Sequence, residues 1–325
     1  MKEKILKALR ECDDYISGQE LCELLGVSRT AIWKIIHQLT DEGYIIEAVN
    51  KRGYRLLGQP DIMTEAEVAS RVSSGGIGSI VRCYEEVTST NDEARLLAEQ
   101  GAAHGTLVIS ESQSRGKGRR LRPWSAPKGM GIWMSFILRP DIPPENASMI
   151  TLLAAMAVYD AIWALKIPCQ IKWPNDIVID GKKVCGILTE MSAQPDYINY
   201  IVTGIGINVH NKEFPDGLGK VATSLALAGK TSGICRSEVI ARVMEAFNSY
   251  YEQFLIGQNL EFIRTSYNKR LVNFNREVYI IEKDRTRSGK CLGIDDHGCL
   301  IAVIDGKEEH IISGEVSVRG ILGYV

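Results

Sequence analysis

Two segments about fifty residues apart hold the side chains best suited to chemistry. The first, SRGKGRRLRPW from Ser114 to Trp124, packs four Arg, one Lys and two Gly into eleven positions. Arg119, Arg120, Arg122 and Lys117 offer charge-assisted donors to a carboxylate or a phosphate. Gly116 and Gly118 let the backbone approach a ligand closely, and Trp124 can lie against a flat base. Alone, the segment also fits a solvated basic loop or a nucleic-acid patch. The second segment, KWPND from Lys172 to Asp176, has a turn that Pro174 makes rigid at a strand end. That turn sets Asn175 and Asp176 at a defined height above a sheet. An amide beside a carboxylate suits Mg²⁺ and phosphate oxygens. An Asx-type turn satisfying its own backbone reads the same way.

Seven residues further on, Lys183 opens a strand that otherwise reads as core. Strict alternation places Lys183, Cys185, Ile187 and Thr189 on one face. A lysine there is either a snorkelling edge residue or a cation in a pocket. Ser89-Thr90-Asn91 stands at a helix start, where Ser89 or Thr90 is the expected N-cap. The same three residues present two hydroxyls and an amide to anything bound at that end.

The elements that must position these residues follow from periodicity. Helical spacing over 2–12, a second helix Gln19–Leu25, a third Arg29–Leu39 capped by Ser28, and a ribbon Tyr44–Val49 and Gly53–Leu57 form the pattern of a winged helix-turn-helix. Its outward candidates for DNA are Ser28, Arg29, Thr30, Trp33, Lys34 and His37, with Lys51 and Arg52 at the wing tip. Residues 1–60 carry nine Lys/Arg and nine Asp/Glu, so the unit is neutral overall, and a winged helix can also serve protein contacts alone. Positive charge nonetheless sits on the two elements that would meet phosphate. After a linker at Gly58-Gln59-Pro60, helices alternate with strands: Gly105–Ser112, Gly131–Leu138, Gln170–Trp173, Lys183–Met191 and Asn199–Val209. A long apolar helix covers Ser148–Leu165, and further helices cover roughly 236–256 and 259–270. Consecutive hairpins, one turning at Asp180-Gly181, predict an α+β domain with a largely antiparallel sheet over 64–271. From Val272 onward, four short strands separated by Asp/Gly turns predict a small SH3-like β-barrel over 272–325.

Composition excludes several classes. The net charge of −2 gives no global attraction to nucleic acid or anionic membrane, so such binding must come from local charge. Hydrophobic content of 45% with 24% charged residues argues against wholesale disorder. The eight cysteines form no Cys-x-x-Cys pair, which removes support for a zinc ribbon or a redox dithiol. No window reads as a membrane span of ~20 apolar residues, and the N-terminus does not read as a signal peptide. The expected location is the cytoplasm, with reduced thiols.

Across essentially its whole length the chain resembles the bifunctional biotin–protein ligases that also repress biotin operons. The motifs that carry the resemblance are Ser89-Thr90-Asn91, Gln113, the Gly116–Arg119 stretch with Trp124, KWPND, Lys183 followed by GIL at Gly186–Leu188, and GIGINV at Gly204–Val209. The resemblance implies a central domain like that of class II synthetases. It also implies two steps: biotin and ATP form biotinyl-5′-AMP, and a lysine of a biotin carboxyl carrier protein, such as that of acetyl-CoA carboxylase, then takes the biotinyl group. By the same resemblance Ser89, Thr90, Asn91 and Gln113 meet the biotin ring, with Gly186 in the same site. Lys117, Gly118 and Arg119 close over it. Arg119 and Lys183 flank the biotin carboxylate and the α-phosphate as the catalytic cations. Arg119, Arg122, Trp124, Asn175, Asp176 and Asn208 serve the adenylate, Trp124 by stacking on adenine and Asp176 at Mg²⁺. The loop Asn211–Ala222 covers the adenylate, and both it and Ser114–Trp124 are expected to order on ligand binding. A homodimer on operator DNA, with the adenylate as co-repressor, completes the implied picture. One departure stands inside the first motif: the family usually has Gly-Arg-Gly-Arg where this chain has Gly116-Lys117-Gly118-Arg119, which keeps the charge and loses a bidentate fork. The alternatives are a biotin-sensing DNA-binding regulator without ligase activity, and a ligase for lipoate.

Overall fold

Apolar residues at helical spacing build α1 (Lys2–Glu11), α2 (Gly18–Leu25) and α3 (Arg29–Asp41) in the computed structural model. The structure describes residues 1–215, 217–229, 233–314, 316–321 and 323–325. Ser17 and Glu20 form a capping box on α2, and the Ser28 hydroxyl accepts from Ala31 N–H at the start of α3. Ile5, Leu6, Leu9, Leu21, Ile32 and Leu39 close a core of their own. Strands β1 (Ile45–Val49) and β2 (Gly53–Gly58) pair antiparallel from Val49↔Gly53, which leaves Asn50-Lys51-Arg52 as the tip. Gly53 is needed there. Its φ is +117°, and a Cβ would lie 2.0 Å from the Ile16 carbonyl oxygen.

A buried carboxylate fastens this unit to the rest of the chain. Glu67, on α4 (Glu65–Ala69), is fully buried and faces Arg10 of α1 at 2.6 Å and Arg71 at 2.7 Å. It also accepts from the Tyr44 hydroxyl and, at 2.7 Å, from the Ser237 hydroxyl of α8 (Arg236–Gly257). A buried carboxylate is tolerable only with such partners.

The central sheet has eight strands: β3 (Ile80–Val87), β4 (Thr106–Lys117), β5 (Pro123–Ala126), β6 (Gly131–Leu138), β7 (Gln170–Lys172), β8 (Asp176–Ile179), β9 (Lys182–Ala193) and β10 (Ile198–Asn208). Their order is β3-β4-β6-β10-β9-β8-β7, with β5 paired to β4. Only the β3–β4 pair is parallel, so the sheet is largely antiparallel, as the hairpins imply. Helix α5 (Thr90–Glu99) packs on one face through Ala94 and Ala98 against Val108, Ile137 and Val202. Helix α6 (Met149–Ala164) and α8 cover the other face. The stretch Pro144–Ala164 does have the length and mean hydropathy, 1.6, of a membrane span, contrary to the sequence reading. Most of it is buried between sheet and α8, which makes it a core helix. The short α7 (Leu225–Gly229) and α9 (Glu261–Arg270) complete the helices described.

The C-terminal unit is a five-stranded antiparallel sheet in the order β14-β13-β12-β11-β15. Its strands are β11 (Glu277–Ile281), β12 (Thr286–Ile294), β13 (Leu300–Ile304), β14 (Lys307–Ile311) and β15 (Ser317–Gly320). Four were anticipated. The fifth, β15, is too short and polar to announce itself, and it pairs with β11 at Val278↔Gly320.

Candidate active site

Register across the central sheet builds the floor of the site. Antiparallel pairing aligns Asp176 with Gly186, Gly186 with Gly206, and Gly206 with Trp133. Two residues along, Leu188, Gly204 and Ser135 form a second row. Cross-strand partners share a face, so the glycines of GIL and GIGINV clear a shallow surface. That surface is occupied. A Cβ on Gly204 would lie 1.9 Å from Asn91 Oδ1, and one on Gly206 2.8 Å from the Trp124 indole.

One end of the floor is polar. Asn91 Nδ2 donates to the Leu188 carbonyl at 3.2 Å and to Glu190 Oε2 at 2.7 Å. The Ser135 hydroxyl lies 2.7 Å from Asn91 Oδ1 and 2.8 Å from Thr90 Oγ1. Ser89 occupies the N-cap position of α5, but its hydroxyl makes no capping bond. Gln113 Oε1 takes the Thr90 N–H instead, at 2.7 Å, and the Thr90 hydroxyl at 3.1 Å. The β3–β4 pairing Val87↔Gln113 is what brings that amide to the helix end.

The other end is cationic. Lys183 does not share a face with Cys185, Ile187 and Thr189, as alternation predicts. Ile177 pairs with Cys185 while Val178 pairs with Lys183, so Val184 is an extra residue in β9. This β-bulge leaves Val184 and Cys185 both buried and turns Lys183 onto the face of Gly186. Lys183 Nζ then sits 2.6 Å from Asp176 Oδ1 and 5.2 Å from the Trp124 ring centroid. The Lys183 backbone is clamped by the far end of the 211–222 loop: its N–H donates to the Val221 carbonyl at 2.7 Å, and Thr223 N–H donates to its carbonyl at 2.8 Å. Asp216 of that loop lies outside the described residues.

The Ser114–Trp124 segment is less of a loop than its composition implies. Strand β4 continues through Lys117 because β5 pairs with it at Gly116↔Trp124 and Lys117↔Pro123. Only 118–122 form the tip. Lys117 reaches sideways to Asp92 of α5 at 2.6 Å. Arg119 crosses to the C-terminal unit, donating to the carbonyls of Ser313, Gly314 (2.6 Å) and Val316, and to Asn175 Oδ1 at 3.2 Å. Burial lowers its pKa, with Asp176 opposing.

Asn175 stands in the turn, as expected, whereas Asp176 is not raised above the sheet but opens β8, paired with Lys172 and Gly186. Asn175 is locked by Nδ2 donating to the Ile187 carbonyl at 2.8 Å. Asp176 is nearly buried. Desolvation would raise its pKa, but Lys183, Lys172 and a hydrogen bond from the Tyr324 hydroxyl more than offset this and hold it below the usual carboxylate range. Lys172 is pushed down to about 8 by burial, with Asp176 pulling the other way and Lys183, Arg319 and Arg119 adding to the fall. Among the described residues no cluster of three His, Cys, Asp or Glu could enclose a metal.

Two cavities meet at this surface. The larger, about 240 Å³, is lined by Arg119, Arg120, Arg122, Trp124, Lys172, Asn175, Asp176, Lys183, Asn208 and Tyr324 among others. It gathers all six residues expected at the adenylate. The smaller, about 40 Å³, is lined by Ser89, Thr90, Asn91, Gln113, Lys117, Gly118, Arg119, Lys183 and Gly186. It gathers all nine expected at the biotin. At that size it has room for about three waters, and Trp124, which borders both cavities, lies over its glycine floor. Sequence reasoning missed Ser135, Glu190 and Tyr324, and it gave Lys172 of KWPND no role of its own. A lone hydroxyl in the apolar run GIWMSFIL was a usable signal for Ser135; nothing local marks Tyr324.

The residues expected at DNA are all exposed: Ser28, Arg29, Thr30, Trp33, Lys34 and His37 on and before α3, Lys51 and Arg52 on the wing. Ser28 spends its side chain on the cap. Arg52 is already paired with Asp14 at 2.8 Å and stacked 4.1 Å from the Tyr15 ring centroid.

Comparison with known proteins matches each of the three units to a known family. Residues 2–55 match an HTH domain, 83–208 the biotin/lipoate A/B protein ligase family, and 274–319 the biotin protein ligase C-terminal domain. The bifunctional ligase/repressor BirA of Bacillus subtilis is 38% identical, over 94% of each chain. The biotin–[acetyl-CoA-carboxylase] ligase of Paracoccus denitrificans is 30% identical, over 71% of this chain and 98% of that one. The structure of a biotin protein ligase from Aquifex aeolicus in complex with biotin and ATP superposes with a TM-score of 0.65 at 28% identity, covering 74% of this chain and 99% of that one.

Proposed function

The chain belongs to the family of bifunctional biotin–protein ligases and repressors, and from that premise we propose how its residues divide the work. It is an ATP-dependent biotin–protein ligase with an N-terminal DNA-binding repressor domain. In the assignment we favour, biotin takes the smaller cavity and ATP the larger. Ser89, Thr90, Asn91 and Gln113 then offer donors and acceptors to the ureido ring. The junction of the cavities, where Lys183 and Arg119 stand, receives the biotin carboxylate and the α-phosphate.

In the first step a biotin carboxylate oxygen attacks the α-phosphorus, pyrophosphate leaves, and biotinyl-5′-AMP remains. In the second a carrier lysine attacks the acyl carbon and AMP leaves. Charge builds on oxygens beside Lys183 in both. Lys183 can exchange Asp176 for those oxygens, and it acts most where that charge is greatest. Arg119 lies at the same junction and assists. Trp124 is placed to move from the glycine floor onto the adenine as biotin enters. Asn208 and Asn175 border the phosphates.

Among the described residues that line the larger cavity, Asp176 is the single acidic side chain. One carboxylate suits a Mg²⁺ carried in on the nucleotide phosphates and not a resident protein cage. Asp176, with Asn175 and Asn208 nearby, would hold such an ion, which would neutralise phosphate charge. The acceptor in this reading is a biotin carboxyl carrier protein such as that of acetyl-CoA carboxylase. The location is the cytoplasm, consistent with eight free cysteines. The repressing form is a homodimer on a two-fold operator, tightened by biotinyl-5′-AMP.

The observation that carries the reading is the bulge at Val184, which stands Lys183 against Asp176 between the two cavities. The test is ATP–pyrophosphate exchange with biotin, lipoate and octanoate supplied in turn. Exchange with biotin alone is expected. Equal exchange with lipoate overturns the substrate assignment, and none with any acid overturns the ligase. Sedimentation that shows no effect of biotin plus ATP on self-association overturns the ligand-tightened homodimer.

A further inference from the structure

Tyr324 follows β15 and reaches back into the larger cavity, although it belongs to no motif described above. Its hydroxyl donates to Asp176 Oδ2, and its ring lies 4.3 Å from Lys172 Nζ. One side chain of the C-terminal unit thus touches the carboxylate and the buried lysine at opposite ends of KWPND. Asp176 has a second claimant, Lys183, on Oδ1. The two contacts compete in an informative way. Asp176 is nearly buried, so its charge must be met from within the protein. If Lys183 alone met it, Lys183 could leave for a phosphate oxygen only by stranding that carboxylate. Lys172 supplies positive charge nearby, and the Tyr324 hydroxyl supplies the direct hydrogen bond on Oδ2 that Lys183 would otherwise leave unmet. The Tyr324 ring covers Lys172, a cation–π contact that keeps the ammonium at the cavity wall.

Resting on the ligase reading above, we infer that Tyr324 is a positioning residue for adenylate formation: its hydroxyl frees Lys183 from Asp176, and its ring holds Lys172 at the nucleotide. The two parts of the side chain therefore act on different kinetic constants. Tyr324 lines the larger cavity and is absent from the residues of the smaller one, so biotin alone should not sense it.

The experiment uses the full chain and measures biotin-dependent ATP–pyrophosphate exchange, with biotin binding read separately by calorimetry. Tyr324→Phe keeps the ring and loses the hydroxyl. It is expected to lower kcat about tenfold, the scale of one charge-assisted hydrogen bond, with KM for ATP within twofold of wild type. Tyr324→Leu loses both and is expected to raise KM for ATP about tenfold as well. The biotin Kd is expected to stay within twofold in each. In an Asp176→Asn background, Tyr324→Phe should have no further effect on kcat, because the charge it serves is gone. The inference is overturned by a Tyr324→Phe kcat within twofold of wild type, by an equal effect of Tyr324→Phe in the Asp176→Asn background, or by a matching loss of biotin affinity, which would mark a purely structural anchor. A wild-type protein inactive with biotin would instead sink the ligase reading, so the two failures are distinct.

Discussion

Replacing Gly204 by alanine tests the floor of the biotin cavity with a single carbon. The new Cβ would lie 1.9 Å from Asn91 Oδ1, where ordinary contact begins at 3.4 Å, so one partner must retreat by about 1.5 Å. Asn91 is the one able to move, because Gly204 is paired on both sides, to Ser135 of β6 and Leu188 of β9. Asn91 is held at 2.7 Å to Ser135, 2.7 Å to Glu190 and 3.2 Å to the Leu188 carbonyl. A retreat of that size carries at least two of these past hydrogen-bonding distance. At about 1–2 kcal/mol each, the amide expected to meet the ureido ring loses ~2–4 kcal/mol of its fixed placement. Biotin binding should therefore weaken roughly 30- to 1000-fold. Calorimetric titration with biotin reads this directly, beside a thermal unfolding curve. Should β10 yield instead, the thermal midpoint drops, and adding Asn91→Ala restores it by removing the clash. A Gly204→Ala protein that unfolds like wild type and binds biotin within threefold of it refutes the placement of Asn91.

Three further outcomes follow from other parts of the structure. Lys183→Ala should slow adenylate formation about 10²–10³-fold, the cost of one preorganised donor; near-normal pyrophosphate release would show that another cation does this work. Glu67→Gln leaves Arg10 and Arg71 facing an amide, and losing one partner of a buried ion cluster costs about 3–5 kcal/mol, so limited proteolysis should cut the 58–64 segment faster; unchanged cleavage would argue against a fastening role. The same contact has a pH signature. Burial would raise the Glu67 pKa, but Arg10, Tyr44 and Arg71 outweigh it and hold it below the ordinary 4.5. The stabilisation is therefore complete above that value and lost as pH falls through the depressed one. Wild type should become cleavable only in acid, while the variant is cleavable throughout. On DNA, Lys34→Ala and Lys51→Ala should each reduce the slope of log affinity against log salt by about one. Arg52→Ala should change it less, since Asp14 already takes up that charge; an equal drop for Arg52 would mean the pair opens on DNA.

The division between what was legible in the sequence and what was not follows the range of the interactions. Helices and strands come from short-range periodicity, and the winged helix, the largely antiparallel character of the central sheet and all but one of the C-terminal strands appear where patterning places them, whereas β3 and β5 of that sheet were not anticipated. The six residues that the family resemblance assigns to the adenylate line one cavity, and the nine it assigns to biotin line the other. Contacts between distant segments were not legible. Gln113, not Ser89, takes up the Thr90 N–H at the start of α5, because parallel pairing of β3 and β4 sets its height. Arg119 turns toward carbonyls almost two hundred residues away, and Tyr324 reaches Asp176 across 148 residues. The bulge is the instructive failure. Counting by twos from Cys185 assigns Lys183 to the apolar face, where a lysine would be a liability. One unpaired residue, Val184, reverses that assignment without any change in composition. Alternation reads a strand as long as its register holds, and this register shifts next to the lysine on which the chemistry depends. The place where local pattern and observed structure disagree is thus the place where the two cavities meet, as expected when a functional position overrides a folding rule.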